Sequence, residues 1–173
     1  MVMLKIKKRS AAEYILYSVI IVAGILLDQL TKLLSTLFLT KVDTVPIIKD
    51  VIHLTYLENR GAAFGMLSDH RYVFMIISTV MIIGLSLYLY LGFAENKLYA
   101  ISCAMIISGG IGNMIDRIAL GYVVDFIDFR LINFAIFNGA DSFVCVGAGL
   151  LVLALVIDIV KEYKAEKGKG GEK

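Results

Sequence analysis

Charge is scarce in this chain. Only 18% of its 173 residues are Asp, Glu, Lys or Arg, against 59% apolar. A soluble domain of this length would expose far more charge, so a water-soluble globular protein is excluded. Proline occurs once, at Pro46, outside the longest apolar blocks. The two cysteines, Cys103 and Cys145, lie inside apolar segments and suggest neither a disulfide framework nor a metal site. The two histidines, His53 and His70, lack His-Glu-x-x-His spacing and fall in no apolar segment. That excludes a zinc-type and a Ser/His-type intramembrane protease.

What is there comes in blocks. Four apolar segments, at 14–34, 72–93, 98–118 and 141–160, are long enough to cross a hydrocarbon core of roughly 30 Å, which needs about 20 helical residues. The fold class expected is an all-α membrane protein: a four-transmembrane-helix bundle forming one polytopic domain over residues 1–173. The first segment reads as a retained signal-anchor, because its apolar run has no small-x-small cleavage site and continues past Asp28.

Basic residues set the expected orientation. Lys5, Lys7, Lys8, Arg9, Lys97, Lys161, Lys164, Lys167, Lys169 and Lys173 fall on one side; Lys41, Lys49, Arg60, Arg71 and Arg130 fall on the other. The richer side is expected to be cytoplasmic, so both tails, 1–13 and 161–173, face in. The Lys/Glu/Gly tail is expected to be solvated and unstructured. With that orientation Asp28, the Asn113–Asp116–Arg117 group and Asp141 all reach the outer leaflet. Asp158, about 26 Å further along the fourth segment, belongs near the cytoplasmic headgroups beside Lys161.

The external loops are not simply hydrophilic. Residues 45–58 and 122–129 are rich in Val, Ile, Thr, Tyr and Phe, which favours extended structure. A small extracytoplasmic β-cradle formed by the external loops, resting on the membrane, is expected. In a strand, Asp125 and Asp128 point to opposite faces, and Asp125 is the one assigned to a site.

Ionisable groups at such positions are costly and are read first as functional. Apolar neighbours should favour the protonated form of Asp125, while a helix start favours the charged form of Asp141. Such a pair can divide acid and base roles, although Asp141 also fits a plain helix cap. Asp28 and Lys32, spaced i, i+4, read as an ion pair or as direct substrate contacts. Asn59-Arg-Gly-Ala-Ala-Phe-Gly65 offers an amide for hydrogen bonding, or an ordinary turn before a close-packed helix. Ser108 and Gly112 form a small-xxx-small step for close helix approach. Asn113, Asp116 and Arg117 share a helix face, with Asp116 expected to pair with Arg117.

Five blocks in order carry a resemblance: Asp28-Gln-Leu-Thr-Lys32, Asn59-Arg-Gly-Ala-Ala-Phe-Gly65, Gly109-Gly-Ile-Gly-Asn-Met-Ile-Asp-Arg117, Gly121-Tyr-Val-Val-Asp-Phe126 and Phe137-Asn-Gly-Ala-Asp-Ser142. Together they resemble the bacterial lipoprotein signal peptidase (signal peptidase II) family across nearly the whole chain outside the tails. The resemblance implies an aspartyl endopeptidase of the cytoplasmic membrane. Such an enzyme cuts prolipoproteins just before a cysteine carrying diacylglycerol. It implies Asp125 and Asp141 as the catalytic pair, with Asn59, Asn113, Arg117 and Asn138 lining the site and Asp28, Lys32 and Asp116 supporting it. It further implies membrane lipids as neighbours, globomycin-type inhibitors, no metal, no cofactor and no nucleic acid. Gly139 departs from the branched apolar residue usual in the family.

Two other readings compete. Asp116, Asp125 and Asp128 loosely resemble the metal-binding carboxylates of membrane phospholipid-head transferases, without the Asp-Gly…Ala-Arg part of that pattern. A small four-helix transporter would place its polar groups nearer the midplane.

Overall fold

A computed structural model describes residues 8–61 and 71–170. The chain runs α1 (Ala11–Leu39), β1 (Val45–Ile48), β2 (Ile52–Asn59), α2 (Arg71–Tyr90), α3 (Lys97–Ala119), β3 (Val123–Phe129), a 3-10 turn (Arg130–Ile132) and α4 (Gly139–Gly170). Among the described residues, four helices are long and apolar enough to cross a membrane. Residues 62–65, the latter part of the Asn59–Gly65 block, and His70 lie outside the described residues.

Local chemistry sets the helix ends. Ser10 caps α1 in a capping box with Glu13, so the helix starts ahead of the apolar run. Asn96 caps α3 by accepting from the N–H groups of Leu98 and Tyr99, at 2.9 and 3.1 Å. The tail departs from expectation, because α4 continues through Lys161–Lys167 to Gly170 rather than ending near residue 160. A helix already nucleated in the apolar segment propagates cheaply through Lys, Glu and Ala, all good helix formers.

Helix α3 is central, packed against α1, α2 and α4. In lipid the apolar side chains of neighbouring helices gain little from leaving their solvent, so close approach of small residues has to hold the helices together. Gly109 meets the backbone carbonyl of Ala140, Gly24 meets Ser108, and Gly112 meets Asp28 and Ala140. At the end where the chain enters α1, Arg9 hydrogen-bonds the Tyr17 hydroxyl at 2.6 Å and the carbonyl of Ala94. Tyr14 stacks on Tyr90 with ring centroids 5.9 Å apart.

At the opposite end, β1, β2 and β3 form an antiparallel sheet in that order. Strands β1 and β2 leave α1, whereas β3 leaves α3, so the sheet joins the two halves of the chain. The expected extended loops are these strands.

The contact at Gly109 yields a prediction. A Cβ there would overlap the Ala140 carbonyl and come within 2.7 Å of Val144 Cγ2, whereas one at Gly84 meets nothing within 4 Å. Gly109→Val should cost about 1–3 kcal/mol and melt several degrees lower in detergent, with Gly84→Ala, which meets no neighbour and favours the helix, as a control that melts no lower.

Candidate active site

Strand pairing places the first carboxylate. Asn59 lies opposite Val123, and Leu57 opposite Asp125. Asn59 and Asp125 are therefore diagonal neighbours on one sheet face. Asn59 Nδ2 donates to Asp125 Oδ2 at 2.8 Å, and Asp125 is 1% exposed. Asp128 points to the other face, where its Oδ2 accepts from Thr55 at 3.0 Å and from Arg130 at 2.9 Å.

The second carboxylate arrives by a return of the chain. After the 3-10 turn, Asn133 adopts a left-handed conformation (φ 48°) and Phe137 pairs back onto Ile127. The Phe129 and Phe137 rings stack 5.7 Å apart with an interplanar angle of 2°. Asn138 is thereby set beside Asp125 and donates from Nδ2 to Asp125 Oδ1 at 2.6 Å. Asn138 also caps α4. Its Oδ1 accepts from Asp141 N at 2.9 Å, and its own N–H donates to Asp141 Oδ2 at 3.2 Å. This is the reciprocal geometry of a capping box, with Asn and Asp as its members. Fully buried Asn138 thus touches both aspartates.

Behind the pair lies a buried polar cluster. Lys32 Nζ contacts Asp28 Oδ2 at 2.9 Å, Asp116 Oδ2 at 3.0 Å and Asn113 Oδ1 at 2.9 Å, which uses all three of its donors. Asn113 Nδ2 then donates to Asp141 Oδ1 at 2.7 Å. The other oxygen of Asp28 accepts from Ala140 N in the first turn of α4 at 2.7 Å, where the helix dipole favours a negative charge. Asp116 Oδ2 also accepts from Val124 N at 3.0 Å, which ties β3 to α3.

A cavity of about 560 Å³ opens in front of the pair. Asn59, Asn113, Arg117, Asp125, Asp141 and Ser142 are in its polar lining; Ile136, Phe137 and Val146 are among its apolar walls. The Arg117 guanidinium lies 5.8 Å from the Phe74 ring centroid, and its Nη1 donates to the Asn113 carbonyl at 3.4 Å. Burial pushes the Asp125 carboxyl up to about 6, and the neighbouring Asp141 charge adds to this. Hydrogen bonds from Asn59 and Asn138 pull the other way.

The sequence model of the family described as signal peptidase (SPase) II matches residues 20–157. The chain belongs to this family. It is 50% identical over 133 residues to the lipoprotein signal peptidase of Caldanaerobacter subterraneus subsp. tengcongensis, covering 77% of this chain and 90% of that protein. It is 45% identical to that of Clostridioides difficile over 139 residues (80% and 93% covered). A bacterial membrane enzyme solved by the in meso method at 2.3 Å superposes with a TM-score of 0.76 at 31% identity, covering 90% of this chain and 94% of the other.

Within this signal peptidase II chain, the structure gathers all nine residues singled out from the sequence at one end of the helices. Asp28–Lys32 is an ion pair, the first of its two readings. One pairing is corrected: Asp116 bonds Lys32 of α1 rather than Arg117. Adjacent helical residues diverge by about 100°, so Asp116 faces α1 while Arg117 faces the cavity. The alternative of Asp141 as the helix cap does not hold. The capping residue is Asn138, and Asp141 stands three positions inside. Asp116, Asp125 and Asp128 hold separate partners and do not converge as the transferase reading requires. Gln29 was missed; its Nε2 lies 3.2, 3.2 and 3.0 Å from Asp28 Oδ2, the Gly112 carbonyl and Asp116 Oδ1, three acceptors that share its two N–H donors. Its only signal was its place inside the Asp28–Lys32 block.

The raised Asp125 value gives a pH prediction. A carboxyl near 6 when folded and about 3.9 when unfolded binds its proton more tightly in the folded state. Its stabilising contribution is complete below about pH 4 and disappears as pH rises through about 6, a change on the order of 3 kcal/mol. The melting temperature of Asp125→Asn, measured against wild type in detergent, should therefore rise between about pH 4 and pH 7. A constant difference would remove the burial argument.

Proposed function

We propose that this protein removes the signal peptide from diacylglyceryl-modified prolipoproteins, cutting before the lipidated cysteine with a water activated by Asp125 and Asp141. The observation that carries this reading is the joining of two cavity-wall carboxylates by Asn138, whose side-chain amide donates to Asp125 and whose backbone N–H donates to Asp141. Family membership and the lipoprotein signal peptidase names of its relatives support the substrate class.

The chemistry is direct hydrolysis. One ionised aspartate takes a proton from water, whose oxygen attacks the scissile carbonyl carbon. The other, protonated, gives its proton to the carbonyl oxygen, forming a gem-diol. The first then passes its proton to the peptide nitrogen as the C–N bond breaks. The second recovers a proton from a hydroxyl as the new carboxyl forms. Peptide and water become amine and acid, and the pair returns to its starting state without a covalent intermediate or a metal. Asn59, Asn113 and Asn138 orient the carboxylates, and Arg117 offers the cavity a fixed positive charge.

Residues 1–173 act in this reading as one membrane unit, with both termini cytoplasmic and the site near the outer leaflet. The basic-residue asymmetry supports that orientation. Ile136, Phe137 and Val146 suit the lipid of the substrate, and a globomycin-type inhibitor would occupy the same cavity.

The test is cleavage of a diacylglyceryl-modified prolipoprotein by purified protein in detergent with EDTA. Wild type should cut, and Asp125→Asn and Asp141→Asn should each lose roughly a hundred- to ten-thousand-fold in rate while remaining folded. Cutting by both variants would end the aspartate-pair reading, and loss of wild-type activity in EDTA would bring a metal into it.

A further inference from the structure

The two aspartates are hydrogen-bonded alike in number and unlike in kind. Asp125 sits in a strand and accepts from two neutral side-chain amides, Asn59 at 2.8 Å and Asn138 at 2.6 Å. Asp141 sits in the first turn of α4 and accepts from a backbone N–H and from Asn113 Nδ2. That Asn113 amide is not free to turn. Its oxygen accepts from both Lys32 Nζ at 2.9 Å and Asn138 Nδ2 at 3.1 Å. Rotating it would bring its NH₂ against two donors and leave Asp141 facing a carbonyl.

Lys32 can only donate, so the sense of the whole chain starts from it. Its charge also polarises the Asn113 amide, strengthening the bond passed on to Asp141. The charged groups around Asp141 are Asp28 and Lys32 from α1, Asp116 and Arg117 from α3, and Asp125 from β3. Asp28 and Asp116 are both held by Lys32.

We propose that Lys32 is a positioning residue which, through the Asn113 amide, keeps Asp141 ionised as the base and leaves the shared proton on Asp125 as the acid. Asp141 then takes the proton from water, and Asp125 delivers its own to the carbonyl oxygen. The inference rests on the peptidase reading and assigns roles within it.

The experiment measures pH–rate profiles for prolipoprotein cleavage by wild type, Lys32→Met and Lys32→Arg in detergent. Losing the charge should move the acidic limb up by about one pH unit, with kcat near that limb reduced about tenfold and KM little changed. Lys32→Arg, which keeps the charge, should return the limb toward its wild-type position. Lys32→Met leaves two buried carboxylates without their cation and risks misfolding, so a second measurement runs beside it. Infrared spectra at about pH 5 should show a carboxylic acid band that Asp125→Asn removes and Asp141→Asn retains. An unmoved acidic limb in folded Lys32→Met, or a band removed by Asp141→Asn and retained by Asp125→Asn, overturns the assignment while the peptidase reading stands. A wild type that does not cut overturns both.

Discussion

An ammonium group inside an apolar bundle needs its charge and its three N–H groups answered from within the protein, because no water is available to answer them. Lys32 meets that demand with Asp28 from its own helix and with Asp116 and Asn113 from α3. Each partner then reaches onward to another element. Asp28 takes the first turn of α4, Asp116 takes the backbone of β3, and Asn113 takes Asp141. Removing one member of such a buried set strands a charge, typically at a cost of about 3–5 kcal/mol. The register of α1, α3, α4 and the sheet is thus fixed by groups that cannot tolerate losing one another.

Packing contributes in a different way. Ile76, Ile83, Leu26 and Val152 are among many apolar side chains facing outward, where a bilayer solvates them. Apolar burial therefore drives insertion more than it drives helix pairing. What brings α3 and α4 together is the absence of a side chain at Gly109, which lets the Ala140 carbonyl approach. The close approach also brings Asn113 within reach of Asp141 and Asn138.

Much of this was legible in the sequence. The spans, the strand-forming loops and the convergence of polar groups at one end follow from hydropathy blocks and residue types. Strand parity separated Asp125 from Asp128, and the structure puts the two on opposite faces. Three features were not legible, each for a physical reason. The partner of Asp116 lies 84 positions away on α1, and spacing along a helix reports only local neighbours, so Arg117 looked the natural choice. The bridging role of Asn138, as distinct from its presence at the site, depends on the fold-back of Phe137 onto Ile127, which positions a cap beside a strand residue. The helical tail was misread because its Lys, Glu and Gly composition is that of a solvated linker, whereas a helix entering from the apolar side carries it along.

The length of α4 has a consequence of its own. Twenty positions separate Asp141 from Lys161, about 30 Å of helix, close to the thickness of a typical hydrocarbon core. One end of that rod carries a carboxylate of the site, and the other carries the first lysine of the tail, whose ammonium seeks the headgroups. In the proposed orientation the helix acts as a depth gauge. In a thicker bilayer the rod is too short for both ends to remain at an interface, and in a thinner one it must tilt. Hydrophobic mismatch is thereby transmitted to the position of the aspartate pair relative to water.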